Sequence, residues 1–412
     1  MKGEFERMNI AYVVQRYLPA PLYGSERYIQ HLAEYFSRDD DVTVLTSDAY
    51  DWNAFWNPFK RRIPVKMEVN DGVRVMRFRV NYGIGSSFFA LGYFLRSIGV
   101  KIDFVNLLSQ GPFMPAVFFH ILSSDYELVH ATSFPLVHVW LSWLSCKKAD
   151  IPFVVTPFIH IDKTVSLRYR NRHLFSVLKG SNAVIAMTET EKKWMVSRGV
   201  KPERVHVVPM GIDAEKWRVG SGDRFRKKHG LSNGQFIVLF VGAKRYDKGA
   251  VHLLKAMKIV QKRFKNVVLV AAGPRRKEWI RVREAVKLER IIDLEWIDGQ
   301  EKMDMFDACD VFVMPSRADS FGIVYLEAWA RGKPVVAARA GAMPDVIRHG
   351  VDGVLVEFGN VKGIADAITS LLRDKGLRER LGDAGRRRVV EEHDWSIIGE
   401  KTKEVYEMAV EV

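Results

Sequence analysis

Met314-Pro315-Ser316-Arg317-Ala318-Asp319-Ser320-Phe321-Gly322-Ile323-Val324-Tyr325-Leu326-Glu327 follows an unbroken apolar run, Val311-Phe312-Val313. A short run without polar alternation is a strand buried on both faces. The residues after Gly322 have helical composition, so the stretch is a strand, a loop and a helix. That is the repeating unit of a parallel sheet covered by helices. At the predicted helix start, Phe321 and Gly322 expose backbone N–H groups. Glu327, further along the helix, offers a carboxylate that accepts two hydrogen bonds from ribose hydroxyls, and Asp319 is placed to meet a sugar. This spacing supports binding roles; it does not by itself make a general acid/base pair.

Working outward, the same unit recurs on both sides. Apolar runs at 236–240, 267–271, 294–297, 311–314, 334–338 and 354–356 form one set of predicted strands. Helices begin between them near Gly249, Lys302, Ile323 and Val361. An earlier set lies at 9–14, 41–46, 73–78, 128–131, 152–156, 183–187 and 205–209. Residues 217–233, rich in Gly, Ser and charge, separate the two sets. The expectation is an α/β chain with two Rossmann-like, doubly wound domains. Ligands bind outside the carboxyl ends of such strands, so two sheets facing one another predict a deep interdomain cleft.

Two further loops stand at strand-to-helix junctions. Gly242-Ala243-Lys244-Arg245-Tyr246-Asp247-Lys248-Gly249 carries Arg245 and Lys248, which can neutralise a diphosphate and the charge that develops on a departing nucleotide. Gly242 and Gly249 permit close backbone approach; a solvated basic turn is the plain alternative. In the first half, Pro21-Leu22-Tyr23-Gly24-Ser25-Glu26 precedes a helix, and a helix N-terminus offers unpaired N–H groups to phosphate. Considered alone, an ordinary turn explains that segment equally well.

Bulk properties bound the reading. The chain has 412 residues, 48% of them hydrophobic, enough for two cored domains. Its start, MKGEFERMNI, lacks the apolar stretch of a signal peptide, and no window reaches the roughly 20 apolar residues that span a bilayer. The expected location is cytoplasmic, with peripheral contact at the inner face of a membrane left open. Cys146 and Cys309 are too far apart in sequence to suggest a metal or disulfide framework. The formal charge of +14 admits anionic partners. No nucleic-acid recognition motif accompanies it, so nucleic acid is not an expected partner. Lys163, Arg168, Arg170, Arg172 and Lys179 form a local basic concentration, read as a solvated surface or as a patch facing acceptor or membrane. Residues 88–95 and 112–119 are rich in aromatic and aliphatic side chains. They read as core packing, an apolar acceptor groove or a shallow membrane contact.

The order and spacing of these motifs, together with Thr156-Pro157-Phe158-Ile159-His160, Val208-Pro209-Met210-Gly211-Ile212-Asp213, Gly332-Lys333-Pro334-Val335-Val336 and Gly341-Ala342-Met343-Pro344-Asp345, resemble retaining glycosyltransferase family 4 of the GT-B fold. The resemblance covers nearly the whole chain. It implies an acceptor-binding domain over 1–218, a nucleotide-sugar-binding domain over 219–394, and a C-terminal helix, 395–412, crossing back to the first. It further implies that Arg245 and Lys248 hold the diphosphate of a UDP- or GDP-sugar, Glu327 the ribose, and the Phe321-Gly322 backbone the sugar or phosphate region. His160 would lie beside the donor sugar, and Gly24 and Ser25 would direct backbone donors toward the diphosphate. No essential metal is implied. The acceptor would be a saccharide or lipid-linked glycan; the oligomeric state stays open. The family's usual double glycine is Gly24-Ser25 here, and Asp319 and Asp345 stand where glutamate is common. A sugar-nucleotide epimerase and a non-catalytic nucleotide-sugar-binding protein are the alternatives.

Overall fold

In a computed structural model of the chain, residues 7–100, 102–162, 171–295, 297 and 299–411 are described. They form two compact units. The first takes the chain up to Ile159, the stretch ending at Pro209 and everything from Ile398 on; the second takes His160–Asp162 and Met210–Ile397.

The first unit is an eight-stranded sheet of Asn9–Val13 (β1), Asp41–Ser47 (β2), Met67–Asn70 (β3), Val73–Phe78 (β4), Leu128–Thr132 (β5), Phe153–Thr156 (β6), Ala183–Ala186 (β7) and Val205–Val207 (β8), in the order β3-β4-β2-β1-β5-β6-β7-β8. Every pairing is parallel except β3 with β4. The predicted strands coincide with these within a few residues; the apolar runs of β1, β2, β5, β6 and β7 are buried on both faces, while β4 and β8 are covered less completely. Strand β3 was not predicted. Its Met67 and Val69 are exposed at the sheet edge, so it lacks the apolar signature of its neighbours. Asp71-Gly72, with φ of 48° and 80°, makes the tight turn into β4 and is the signal that could have revealed it.

The C-terminal helix, Trp395–Val410, supplies part of this unit's core. Its Tyr406 hydroxyl meets His130 Nδ1 at 2.6 Å, while Nε2 of the same ring meets Thr156 Oγ1 at 2.8 Å. Complete burial pushes the His130 imidazole down to about 3, so it is neutral and both nitrogens are partnered.

The second unit is a six-stranded, wholly parallel sheet: Phe236–Val241 (β9), Val267–Ala272 (β10), Ile291–Leu294 (β11), Val311–Met314 (β12), Val335–Ala338 (β13) and Gly353–Val356 (β14), ordered β11-β10-β9-β12-β13-β14. Strand β11 precedes the predicted 294–297. Pairing with β10, which sets Leu269 opposite Ile291, fixes the edge strand more firmly than local apolarity does. From β9 the chain winds to β10 and β11 on one side, then to β12, β13 and β14 on the other. The loops after β9 and β12 therefore flank the point where the winding reverses, which is where doubly wound sheets bind ligands.

Both cysteines are buried and unpaired. Lys163, Arg168 and Arg170 of the basic concentration lie outside the described residues; Arg172 and Lys179 are exposed on the helix Arg172–Gly180. Core packing does not account for the segment 88–95. It belongs to the helix Tyr82–Ser97, where Phe89, Leu91, Tyr93 and Phe94 are exposed. In the segment 112–119, Met114 and Val117 are buried and Phe119 is exposed.

Candidate functional site

At the reversal point of the second sheet, the β9 and β12 loops interlock. Gly249 has φ of 73°, and a Cβ there would lie 2.3 Å from the Pro315 carbonyl oxygen. Only glycine permits both the left-handed backbone and this approach. The Asp247 carbonyl accepts from Arg317 N at 2.9 Å and from Ser316 Oγ at 3.3 Å, tying the loops a second time. Gly242, with φ of 152°, turns the chain out of β9.

These contacts bring Lys248, Asp319 and His160 together. Lys248 Nζ pairs with Asp319 Oδ1 and donates to the Ala318 carbonyl at 3.3 Å. His160 Nδ1 donates to that same carbonyl at 2.7 Å. A carbonyl can only accept, so Nδ1 carries the hydrogen and Nε2 the lone pair of the neutral ring. Burial lowers the His160 pKa, and the Lys248 charge adds to the effect. The turn at Gly341, φ 55°, closes on this region; a Cβ would lie 3.0 Å from Arg317 O and 3.1 Å from Ile161 O.

Arg245 is placed differently. Its guanidinium forms a two-point pair with Asp247, with Nε to Oδ1 at 2.8 Å, and its side chain is 46% exposed. That bond, outweighing partial burial, raises the Arg245 pKa further. Sequence reasoning read Arg245 as a diphosphate ligand without anticipating this carboxylate partner. It also missed Arg317, which pairs with Asp162 at 3.4 Å and stacks over Tyr246 and Phe358. The signal was present in Pro315-Ser316-Arg317, inside the loop first quoted.

Gly322, φ 83°, starts the helix Ile323–Ala330. The Phe321 ring packs against His393 with centroids 5.6 Å apart, leaving the backbone as what this pair offers to the loop. Glu327 is buried on the same helix and pairs through Oε1 with Lys302 of the helix Gly299–Ala308. Lys302, another residue that sequence reasoning did not single out, also lies 5.7 Å over the Trp217 ring. Two buried oxygens then stand out: Asp319 Oδ2 and Glu327 Oε2 have no hydrogen-bond partner among the described residues. Buried acceptors are ordinarily satisfied, so each calls for a donor.

In the first unit, Gly24 and Ser25 open the helix Gly24–Phe36, again at a reversal point, between β1 and β5. A Cβ on Gly24 would meet nothing within 4 Å, so its backbone is open to approach. Ser25 Oγ accepts from Ser133 Oγ at 3.0 Å. Glu26 accepts from Tyr23 N at 2.7 Å, fixing the helix start, and is held by buried Arg16 at 2.8 Å. Burial raises the Glu26 pKa against the opposing pull of Arg16. Among the described residues, no group of three or more His, Cys, Asp or Glu side chains could hold a metal ion.

Two family models match the chain: "Glycosyl transferase 4-like domain" over residues 23–211 and "Glycosyl transferases group 1" over residues 221–388. An alpha-maltose-1-phosphate synthase of Mycobacterium tuberculosis is 32% identical over 320 residues, 69% of this chain and 82% of the relative. The chain belongs to the group 1 glycosyltransferases. An uncharacterised glycosyltransferase of Methanocaldococcus jannaschii is 30% identical over 237 residues, 56% of this chain and 60% of the relative. In fold, the glycosyltransferase is similar to HepE of Anabaena, crystallised with UDP and glucose. The TM-score is 0.74 at 18% identity, over 97% of this chain and 100% of that one. The architecture is GT-B, and this glycosyltransferase moves a sugar from a nucleoside-diphosphate donor to an acceptor.

Proposed function

We propose that the enzyme transfers a hexosyl group, with retention at the anomeric carbon, from a UDP- or GDP-hexose to a hydroxyl of a saccharide or lipid-linked glycan. The observation that carries this reading is the pair of half-satisfied buried carboxylates. Asp319 and Glu327 each have one oxygen on an ammonium and one open, the arrangement that receives hydroxyl donors. Sugar hydroxyls answer Asp319 and ribose hydroxyls answer Glu327. Arg245 and Lys248 take the diphosphate, with Gly242 and the Phe321-Gly322 backbone close to it, and Gly24 and Ser25 contribute donors from the first unit. The HepE crystals with UDP and glucose support a nucleoside-diphosphate hexose as donor.

In this reading the acceptor hydroxyl attacks the anomeric carbon from the face the diphosphate leaves. Its proton passes to the departing phosphate oxygen as the new C–O bond forms and the old one breaks. Lys248 and Arg245 stabilise the growing charge on that phosphate, so positive charge comes from side chains. His160, fixed by Ala318, positions the sugar and is not required as a base.

Incubating the enzyme with a panel of donors and a mixed acceptor extract, then following products by mass spectrometry and anomeric NMR couplings, tests the assignment. Retained configuration in a glycosylated acceptor is the expected result. An inverted linkage would refute retention, and an altered sugar nucleotide without acceptor product would indicate epimerisation. Glu327→Gln is expected to raise the donor KM about tenfold, the effect of weakening one or two hydrogen bonds to a buried acceptor, with little change in kcat. An unchanged KM would remove Glu327 from the ribose site.

The His160 environment also gives a pH dependence. Its lowered pKa keeps the ring neutral through pH 6.5, and protonation below that adds a charge beside Lys248. Activity, together with the stability this group contributes, is therefore lost as pH falls through the lowered value. In a pH profile of kcat/KM, the acid limb abolished by His160→Asn should lie below 6.5. A limb at or above 6.5 would contradict the neutral ring.

A further inference from the structure

We propose that Lys302 is a positioning residue for the nucleotide. It holds Glu327 so that the open Oε2 meets the ribose diol, and thereby sets how strongly the enzyme prefers a ribonucleotide over its deoxy analogue. The inference rests on the reading of Glu327 as the ribose ligand and adds the residue that makes this carboxylate selective.

Lys302 stands apart from the β9 and β12 loops. It comes from the helix Gly299–Ala308, reaches the helix Ile323–Ala330 and pairs there with Glu327 Oε1. The Lys302 side chain is 20% exposed and that of Glu327 6%, so the pair is largely out of water. A carboxylate has two acceptor oxygens, and a cation fixed on one decides where the other points. Glu327 Oε2 is buried and has no partner among the described residues. An ion pair made only to hold two helices together would not leave one buried oxygen open. The ammonium itself is committed to the carboxylate and lies 5.7 Å over the Trp217 ring, which aims it at Glu327 rather than at a phosphate.

Several contacts hold the platform under Lys302. The Trp217 ring packs on Phe306, from the same helix as Lys302, with centroids 5.5 Å apart, and the Trp217 carbonyl accepts from Arg331 Nη1 at 2.7 Å. Arg331 follows the helix that carries Glu327, and its Nη2 also donates to the Gly220 carbonyl at 3.3 Å. From the other helix, Gln300 Nε2 donates to the Val219 carbonyl at 2.9 Å, and Asp304 Oδ1 accepts from Ser221 N at 2.9 Å. The segment 217–221 is thus fastened to both helices. A free lysine side chain samples many rotamers, and a fixed aromatic face offsets part of the cost of choosing one.

Equilibrium binding of nucleotides, without acceptor or turnover, tests this separately from sugar transfer. UDP and 2′,3′-dideoxy-UDP are titrated in parallel, as are GDP and 2′,3′-dideoxy-GDP, with thermal unfolding of each variant followed alongside. For the base that binds, the wild type should favour the ribonucleotide at least about tenfold, the effect of hydrogen bonds to a buried charged acceptor. Glu327→Gln should cut that ratio below about threefold. Lys302→Met, which keeps the stem but not the charge, should do the same, whereas Lys302→Arg should retain the wild-type ratio. Lys302→Gln keeps a neutral donor beside Glu327, which guards against misfolding of the methionine variant, and should lower the ratio at least about threefold. A wild-type ratio in Glu327→Gln would remove the ribose reading and this inference with it. A collapsed ratio in Glu327→Gln beside a wild-type ratio in the folded neutral Lys302 variants would overturn the role of Lys302 alone. Equal weakening of both nucleotides by those variants, with the ratio unchanged, would make Lys302 a merely structural residue and overturn the inference as well.

Discussion

Lys248→Ala is expected to lower kcat/KM for sugar transfer about 10²–10³-fold, the usual cost of removing one preorganised charge that stabilises a leaving group. Lys248 does two things. It holds Asp319 Oδ1, and through its contact with the Ala318 carbonyl it shares an anchor with His160. Its loss removes positive charge from the proposed diphosphate position and frees the carboxylate proposed to hold the sugar. Initial rates of nucleoside diphosphate release over a range of donor concentrations measure the effect. Because Asp319 would be left buried without its partner, thermal unfolding must be followed in parallel. Turnover within about threefold of wild type in a folded variant would remove Lys248 from the phosphate site.

Gly249→Ala acts on the frame that holds those side chains. The new methyl would meet the Pro315 carbonyl oxygen at 2.3 Å and Pro315 Cγ at 2.7 Å, on a backbone held at φ 73°. Left-handed strain costs about 1–2 kcal/mol and overpacking about 1–3 kcal/mol, so a destabilisation of about 3 kcal/mol is expected. Urea unfolding should show the midpoint falling for the second unit, with donor affinity reduced because the β9 and β12 loops are pushed apart. A midpoint equal to wild type would mean that the loops yield without cost, and Gly249 would then not be what locks them together.

Legibility followed burial and chain locality. Strands β9, β10, β12 and β13 were read almost residue for residue, since strands covered on both faces leave uninterrupted apolar runs. Edge strands defeated the same criterion: β3 exposes Met67 and Val69, and β11 takes its position from β10. Within the site, glycines and charged residues beside strand ends were visible as motifs. Their partners were not. Asp247 on Arg245 lies two residues away, but Lys302 on Glu327 is separated by 25 residues, and Asp162 and Arg317 meet from distant segments. Such pairs depend on where helices and loops come together, which no local pattern encodes. The exposed aromatic helix shows the converse: its apolarity was plain, but whether it faced protein or solvent was decided only by the packing around it.

The pairing of His130 with Tyr406 spans 276 residues. On a nascent chain, every strand of the first sheet has emerged by Val207, long before the hydroxyl that completes its interior is synthesised. Until then the imidazole Nδ1 lacks its final partner and the first unit remains unfinished. Met210–Ile397 has already left the ribosome when that partner arrives. The half of the enzyme made first is thus sealed last, and a product truncated before Tyr406 carries an unsealed first half however well its second half has folded.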